Sequence, residues 1–483
     1  MTLHGARLVG AAKTRFGLWA PARSTAEVLV VEPYEKAVPL ARGQDGFFTG
    51  TVENVPAGAR YLYRLDGTLT VPDPASLSQP RGVGGPSEVV DAAFPWTEPY
   101  WMGLPLSETV LYELHIGTFT NEGTFDSAVK RLSALKDLGV SAVEVMPVGQ
   151  FPGSKGWGYD GVFPSAAQHS YGGPDAFRRF VDACHKRGLA VVLDVVYNHM
   201  GPEGCRLAEL GPYFGGRGQS PWGEALNFDG PDSDPVRAYF IQSALWWLDE
   251  CRVDGLRLDA TAAILDGSER PFVAELAERV SALARRSNRL IHLFAEHLLN
   301  DARVVRPREM GGWGVDAQWG DDLHRALHAA LTGERAGPYA DFGPLGMAAK
   351  ALRDGWCHDG TTYSSWRRRT VGTPAAGIPG RRFVGYWQNH DQVGNRPDGA
   401  RAASLVSLEA HKLGLGAVIL SPYTPLLFMG DERGERTPFH FFADFADEGL
   451  RTAVREGRGR ELKAHWGWDG AAPDPFAPET FAA

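Results

Sequence analysis

Apolar positions along the chain follow two rhythms, and the change between them comes near residue 108. Residues 1 to about 92 alternate over short runs. FGLWAP, AEVLVVEP, GFFTGTVENV and ARYLYRLDG are aromatic and β-branched, with Pro and Gly clusters between them. Such alternation sets one side of each run against a core and the other against water, the pattern of half-buried strands. No helical period is sustained, so a small N-terminal β-sandwich is expected over 1–92. The stretch PDPASLSQPRGVGGPSEVVD holds too much Pro, Gly and Ser for a regular element and is expected to wrap a surface or link domains. A linker follows at 93–107.

From 108 onward, strand and helix patterns take turns. TVLYELHIGTF is a strand candidate, and Asp126 to Leu138 follows as a helix with Phe125, Ala128, Val129, Leu132 and Leu135 on one face before Gly139 stops it. Phe177, Phe180, Val181 and Cys184 make a second helical stripe, ended by Gly188 and followed by LAVVLDVVYNH. Eight strand candidates emerge, at about 109–119, 140–147, 189–196, 252–259, 289–296, 315–319, 382–388 and 423–429. Eight parallel strands with crossover helices predict an α/β fold closed as a (β/α)8 TIM-type barrel over 108–430, with an open doubly wound sheet as the alternative. The loops at 198–234 and 333–381 exceed what connection needs and are expected to border a pocket. The tail, 431–483, reads as an aromatic loop and a charged helix.

Composition narrows the class. With 43% hydrophobic and 22% charged residues the chain can bury a full core. Its 49 Lys+Arg against 58 Asp+Glu give a net charge of −9, and no basic run occurs, so no nucleic-acid partner is expected. Cys184, Cys205, Cys251 and Cys357 form no ligand-like cluster and read as reduced thiols. The N-terminus shows no apolar leader. The longest apolar stretch, Leu413 to Gly430, is cut by Ser421-Pro422 and Thr424-Pro425, so no membrane partner is expected and a cytoplasmic setting fits. Fourteen Trp suit sugar-stacking platforms or a sandwich core equally.

Candidate chemistry collects at the C-terminal ends of the strands, the face where barrel active sites form. The third strand ends in Asp194, then Asn198-His199. The fourth ends in Arg257 and Asp259, the fifth in Glu296-His297, the seventh in Asn389-His390-Asp391. Singly, each has a structural explanation as a cap, an ion pair or a satisfied core histidine. Together they read as one site. Arg257 and Asp259 share a strand face, so the cation replaces the metal that three carboxylates could otherwise hold. Glycoside hydrolysis needs one carboxylate and one carboxylic acid. Asp259, kept ionised by Arg257, is the expected nucleophile; Glu296 is the acid/base; Asp391 grips hydroxyls and stabilises the transition state. His199 and His390 are expected to bind hydroxyls, and Trp157 or Tyr159 of GWGYDG to stack on a ring. Asp160, Asn389, Gln392 and Asn395 are read as further substrate contacts.

DVVYNH (194–199), GLRLDA (255–260), FAEH (294–297) and QNHD (388–391) resemble, in order and spacing, the four motifs of the α-amylase superfamily, glycoside hydrolase family 13. The resemblance implies retention of configuration, α-glucan oligosaccharide substrates and the same roles for Asp259, Glu296 and Asp391. No clear ligand set for that family's calcium is read, so neither metal nor cofactor is expected. The sandwich, then LYELHIGTFTNEGTF, then QNHDQVGNR, is similar to the branch that releases trehalose from malto-oligosyltrehalose. That branch implies that Asp321, Asp322 and His324 line the disaccharide subsites; the alternative is a negatively charged helix N-terminus. DATAAI lacks a His expected after the nucleophile, and NRPDGARA is looser than the pattern. Branching, plain-glucan hydrolysis and a catalytically silent glucan-binding barrel are the competing readings. Relatives of this kind carry a C-terminal β-sandwich, which is expected to be absent or truncated here. Oligomeric state is not legible.

Overall fold

The alternating N-terminal runs form two antiparallel sheets in the computed structural model, which describes residues 4–220 and 222–482. One sheet is ordered Gly5–Gly10, Lys13–Trp19, Phe47–Glu53, Ala41–Arg42; the other Lys36–Pro39, Ala26–Glu32, Arg60–Leu65, Leu69–Val71. Period two decides what faces inward: Tyr61, Tyr63 and Leu65 are buried and pair with Val30, Val28 and Ala26, buried in turn. Residues 1–3, 221 and 483, which fall in the expected segments 1–92, 198–234 and 431–483, lie outside the described residues.

The Pro/Gly/Ser-rich stretch departs from expectation. Asp73 to Gln79 are all buried rather than spread over a surface. Asp73 accepts hydrogen bonds from Tyr61 Oη (2.7 Å), Tyr63 Oη (3.3 Å) and the Ala75 amide (2.9 Å). Tyr239 donates to the Pro74 carbonyl at 2.7 Å, and Ser87–Glu88 adds a short strand beside Arg60–Leu65. Side chains thus satisfy irregular backbone that no sheet pairs, which makes its burial tolerable.

Eight parallel strands close the barrel: Leu111–Leu114, Ala142–Val145, Ala190–Val195, Gly255–Leu258, His292–Ala295, Ala317–Trp319, Phe383–Tyr386 and Thr424–Phe428. Each falls inside its candidate range with trimmed ends. The first is shortened most. After Leu114 the His115 carbonyl accepts from the Thr118 and Phe119 amides, so Ile116–Phe119 is a helical turn, not strand. The helix expected over 126–138 is two: Thr124 and Ser127 form a capping box that starts Phe125–Val129, then i−3 bonds from Lys130 and Arg131 tighten the chain before Leu132–Leu138 begins.

Leu111, Ala142, Val192, Phe294, Ala317, Trp319, Val384, Tyr386 and Leu426 fill the barrel interior. Loop 198–234 carries the hairpin Phe214–Ser220 and Gly223–Leu226; loop 333–381 carries the helix Leu345–Asp354 and the hairpin Tyr363–Ser364 and Arg369–Thr370. In the tail, Phe439, Phe442 and Phe445 are buried and Glu448–Trp466 is helical. Among the described residues no strand follows Thr424–Phe428, and no helix is long and apolar enough to cross a membrane.

At the opposite end from the site, one carboxylate ties four segments together. Asp254, 3% exposed, accepts from Trp101 Nε1 (2.8 Å) and Arg289 (3.2 Å) on Oδ1, and from the Val191 amide (2.9 Å) on Oδ2, with His185 Nε2 also 2.9 Å away. Asp254→Asn leaves the Arg289 cation short of its counter-charge and puts an amide against the Val191 amide. It is expected to cost about 3–5 kcal/mol, read as a lower urea midpoint with native circular dichroism. An unchanged midpoint would contradict this account of the barrel's base.

Candidate active site

Arg257 is the centre on which the site is built. It sits on the fourth barrel strand in register with Asp194 on the third, fully buried and packed over the Trp319 ring at 4.3 Å. One guanidinium nitrogen donates to Asp194 and to Asp259, both at 2.7 Å; the other donates to Glu296 at 2.7 Å. A planar fork with fixed donors suits this sharing, which a lysine could not reproduce. One cation among three carboxylates forces an unequal division of charge. Burial raises Glu296 to about 8, Arg257 opposing and Asp259 and Asp391 adding to the rise. Burial likewise lifts Asp194 to about 6 against the pull of Arg257.

The two central carboxylates are held differently. Asp259 has a donor on each oxygen, Arg257 on Oδ1 and Asn198 Nδ2 (2.6 Å) on Oδ2. Glu296 takes both its bonds on Oε2, from Arg257 and from the Ala260 amide at 2.9 Å. Ala260 reaches it because its φ of 39° lies in the left-handed region, an unusual place for a residue with a Cβ. Thr261 Oγ1 then donates to the Glu296 carbonyl at 2.7 Å and locks the turn.

Asp391 comes from the seventh strand through a cap. The Asn389 side chain accepts from the Asp391 and Gln392 amides, and Gln392 Oε1 accepts from the Asn389 amide at 3.0 Å, so NHDQ is a capping box opening the helix His390–Gly394. Asp391 stands in its first turn, with its side chain 35% exposed and 3.4 Å from His390 Nε2. Desolvation raises its pKa, with His390 and Arg257 opposing. Asn395 Nδ2 donates to Asp391 at 3.2 Å and accepts on Oδ1 from Arg458 of the tail helix at 2.8 Å.

Other expected contacts divide. Tyr159 is half-buried; its hydroxyl donates to Asp194 (2.7 Å), while Nε2 of His390 lies 2.8 Å from it. His199 borders Asp259 through Asn198 and keeps a low pKa from burial. Asp160 is half-buried beside them, raised by burial to about 6. Trp157 does not take the stacking role: it is 3% exposed, lies flat on Phe439 at 5.5 Å and donates to the His440 carbonyl. Asp322 and His324 are also engaged internally. Asp322 accepts from the Cys357 and His358 amides and Asn300, and His324 bonds Trp387 O and Tyr339 Oη. They brace loop 333–381, while Asp321, bonded by Tyr386 Oη at 2.9 Å, abuts the interior layer, where His324 also stacks on Tyr386. Two groups went unread, Glu113 and Glu144, paired across the first two strands and each 1% exposed. The signal is there: an acid at an inward position of an otherwise apolar strand, in LYEL and AVEV.

The family model for the alpha amylase catalytic domain matches residues 101–209, and that for carbohydrate-binding module 48, the isoamylase N-terminal domain, matches residues 4–77. The malto-oligosyltrehalose trehalohydrolase of Saccharolobus solfataricus is 47% identical over 468 residues, 96% of this chain and 80% of its own. That of Arthrobacter ramosus is 48% identical over 473 residues, 97% and 82%. The chain belongs to the malto-oligosyltrehalose trehalohydrolase family. A solved structure described as a putative alpha amylase from Salmonella typhimurium superposes with a TM-score of 0.92 at 42% identity, covering all of this chain and 81% of that one. A pullulanase from Anoxybacillus, at 22% identity and a TM-score of 0.68, shares the fold. Trehalohydrolase membership accords with the superfamily resemblance carried by the four strand-end motifs.

Removing the shared cation tests the electrostatics. Arg257→Met leaves buried carboxylates facing one another and is expected to cost about 3–5 kcal/mol at neutral pH. Without the cation the folded-state pKa values of Asp194 and Glu296 rise further, so protonation relieves the variant, and the deficit should shrink as pH falls towards about 6, where Asp194 titrates in the unaltered protein. Thermal melts at pH 5 and 7.5 check it; equal deficits at both would contradict it.

Proposed function

We propose that the protein hydrolyses the α-1,4 bond beside the terminal trehalose of malto-oligosyltrehalose and releases trehalose. The observation carrying the reading is one guanidinium shared between Asp259, which has a donor on each oxygen, and Glu296, which burial lifts to about 8. Family membership supplies the substrate, and the strand-end chemistry supplies the reaction.

Asp259, with donors on both oxygens, is the nucleophile that attacks the anomeric carbon. Glu296 keeps its proton at neutral pH. Because its Oε2 takes both protein hydrogen bonds, Oε1 carries that proton to the leaving glycosidic oxygen. The C–O bond breaks, a glycosyl ester forms on Asp259, and Glu296 is left ionised. It then takes a proton from water, whose oxygen displaces Asp259 and restores both groups, so configuration is retained. Asp391, open to the cleft, binds sugar hydroxyls and its negative charge favours the oxocarbenium-like transition state. His390, Tyr159 and His199 line the ring that reacts.

Malto-oligosyltrehalose, a plain malto-oligosaccharide and a branched glucan distinguish the readings. Trehalose from the first, far faster than any product from the second, is expected; equal turnover of the plain oligosaccharide without trehalose would favour an amylase-like enzyme, and new α-1,6 branches a branching enzyme. Asp259→Asn and Glu296→Gln should each lower kcat by about 10³-fold or more. Activity should fall as pH rises through about 8, where Glu296 loses the proton it must donate. An alkaline limb that stays unaltered in Glu296→Gln would assign the acid elsewhere.

A further inference from the structure

Beneath the three carboxylates lies a second ion pair. His390 and Glu113 are each 1% exposed. Glu113 Oε1 is 2.5 Å from His390 Nδ1, and Oε2 accepts from the His390 amide at 3.0 Å. Two contacts on one carboxylate fix the plane of the ring. The ring then stacks on Tyr159, with centroids 5.4 Å apart, and meets the edges of Trp157 and Trp319.

Hydrogen-bond direction decides the ring's charge. The single proton of Tyr159 goes to Asp194 Oδ2 at 2.7 Å, so its oxygen must accept from His390 Nε2 at 2.8 Å. The carboxylate of Glu113 can only accept from Nδ1. Both ring nitrogens therefore donate, and a ring that donates twice is an imidazolium. Asp391, 3.4 Å from Nε2, sets a second negative charge beside the ring as an ion-pair partner.

We propose that Glu113 is a positioning residue that holds His390 as a cation, with its Nε2–H turned to Tyr159 and its charge beside Asp391. The site then works beside two fixed positive charges, Arg257 above and His390 behind. Every element packed around the ring contributes a group: Glu113 from the first strand, with His115 just beyond it, Glu144 from the second, Tyr159 and Trp157 from the following loop, Asp194 from the third, Arg257 from the fourth, Trp319 from the sixth, and Asp391 from the ring's own helix. Glu144 is the neutral member. Both its oxygens are buried without a partner, and burial, with Glu113 beside it, keeps its proton on. Burial alone would strip the ring proton from His390, but Asp391 and Glu113 outweigh it and lift the pKa to about 9. The kinetic consequence rests on the reading of Asp391 as the transition-state stabiliser; the protonation state of His390 does not.

The test labels histidine with nitrogen-15 in the full chain and assigns the His390 ring by its loss in His390→Gln. The wild-type ring should keep both nitrogens protonated across about pH 6 to 8. Glu113→Gln preserves shape and removes charge, so its ring should titrate at least about one pH unit lower. On malto-oligosyltrehalose its kcat at pH 8.5 should fall about threefold or more with KM within about twofold, and its alkaline limb should move to lower pH, as the cation is lost earlier. Glu113→Asp should recover more of the wild-type profile than Glu113→Gln. A wild-type ring that is neutral at pH 7 overturns the proposal even if neither Glu113 variant folds. So does a Glu113→Gln enzyme with unmoved ring titration and pH profile, whatever its melting temperature. Absence of trehalose release would overturn the functional reading and leave the ring result standing.

Discussion

Sharing one guanidinium among three carboxylates is the constraint on which the site depends. Arg257 bonds Asp194, Asp259 and Glu296 at 2.7 Å each, and a single positive charge cannot hold all three ionised in a buried setting. Proton occupancy must then differ between groups that are chemically alike. The surrounding side chains resolve which: Asp259 receives donors on both oxygens, from Asn198 and Arg257, while Glu296 feels its acidic neighbours and is pushed up by burial to about 8. On the proposed reading, a nucleophile and an acid follow from one cation and two environments.

The barrel exists to hold those environments at one height. Register between the third and fourth strands sets Asp194 beside Arg257, and the left-handed backbone of Ala260 turns its amide to Glu296. The tail belongs to this scheme as well: Arg458 of Glu448–Trp466 holds Asn395, which holds Asp391. A helix outside the eight-strand repeat therefore helps to aim one of the three carboxylates.

Much of this was legible in the sequence because it follows period and strand ends. The eight strands, the N-terminal sandwich and the strand-end acids are written in local patterns that side-chain alternation makes unambiguous. What escaped depends on contacts distant in sequence. Nothing in GWGYDG tells Trp157 from Tyr159; only Phe439, nearly 300 positions away, covers one and leaves the other to the cleft. Asp322 and His324 look like ligands on a helix start until loop 333–381 folds over them. Asp73 to Gln79 read as a surface wrap or a link between domains because propensity cannot see a tyrosine pair bonding the Asp73 carboxylate. Glu113 and Glu144 were visible as acids in apolar strands, but their meaning needed the neighbouring strand.

The division of roles between Asp259 and Glu296 is tested most directly by trapping the ester. Glu296→Gln, given a fluorinated glycosyl fluoride whose leaving group needs no proton, should accumulate a covalent adduct. Peptide mass mapping should place it on Asp259, with retained configuration in the product that slowly forms. An adduct on another residue, or no adduct and an inverted product, would contradict the division of roles that Arg257 imposes.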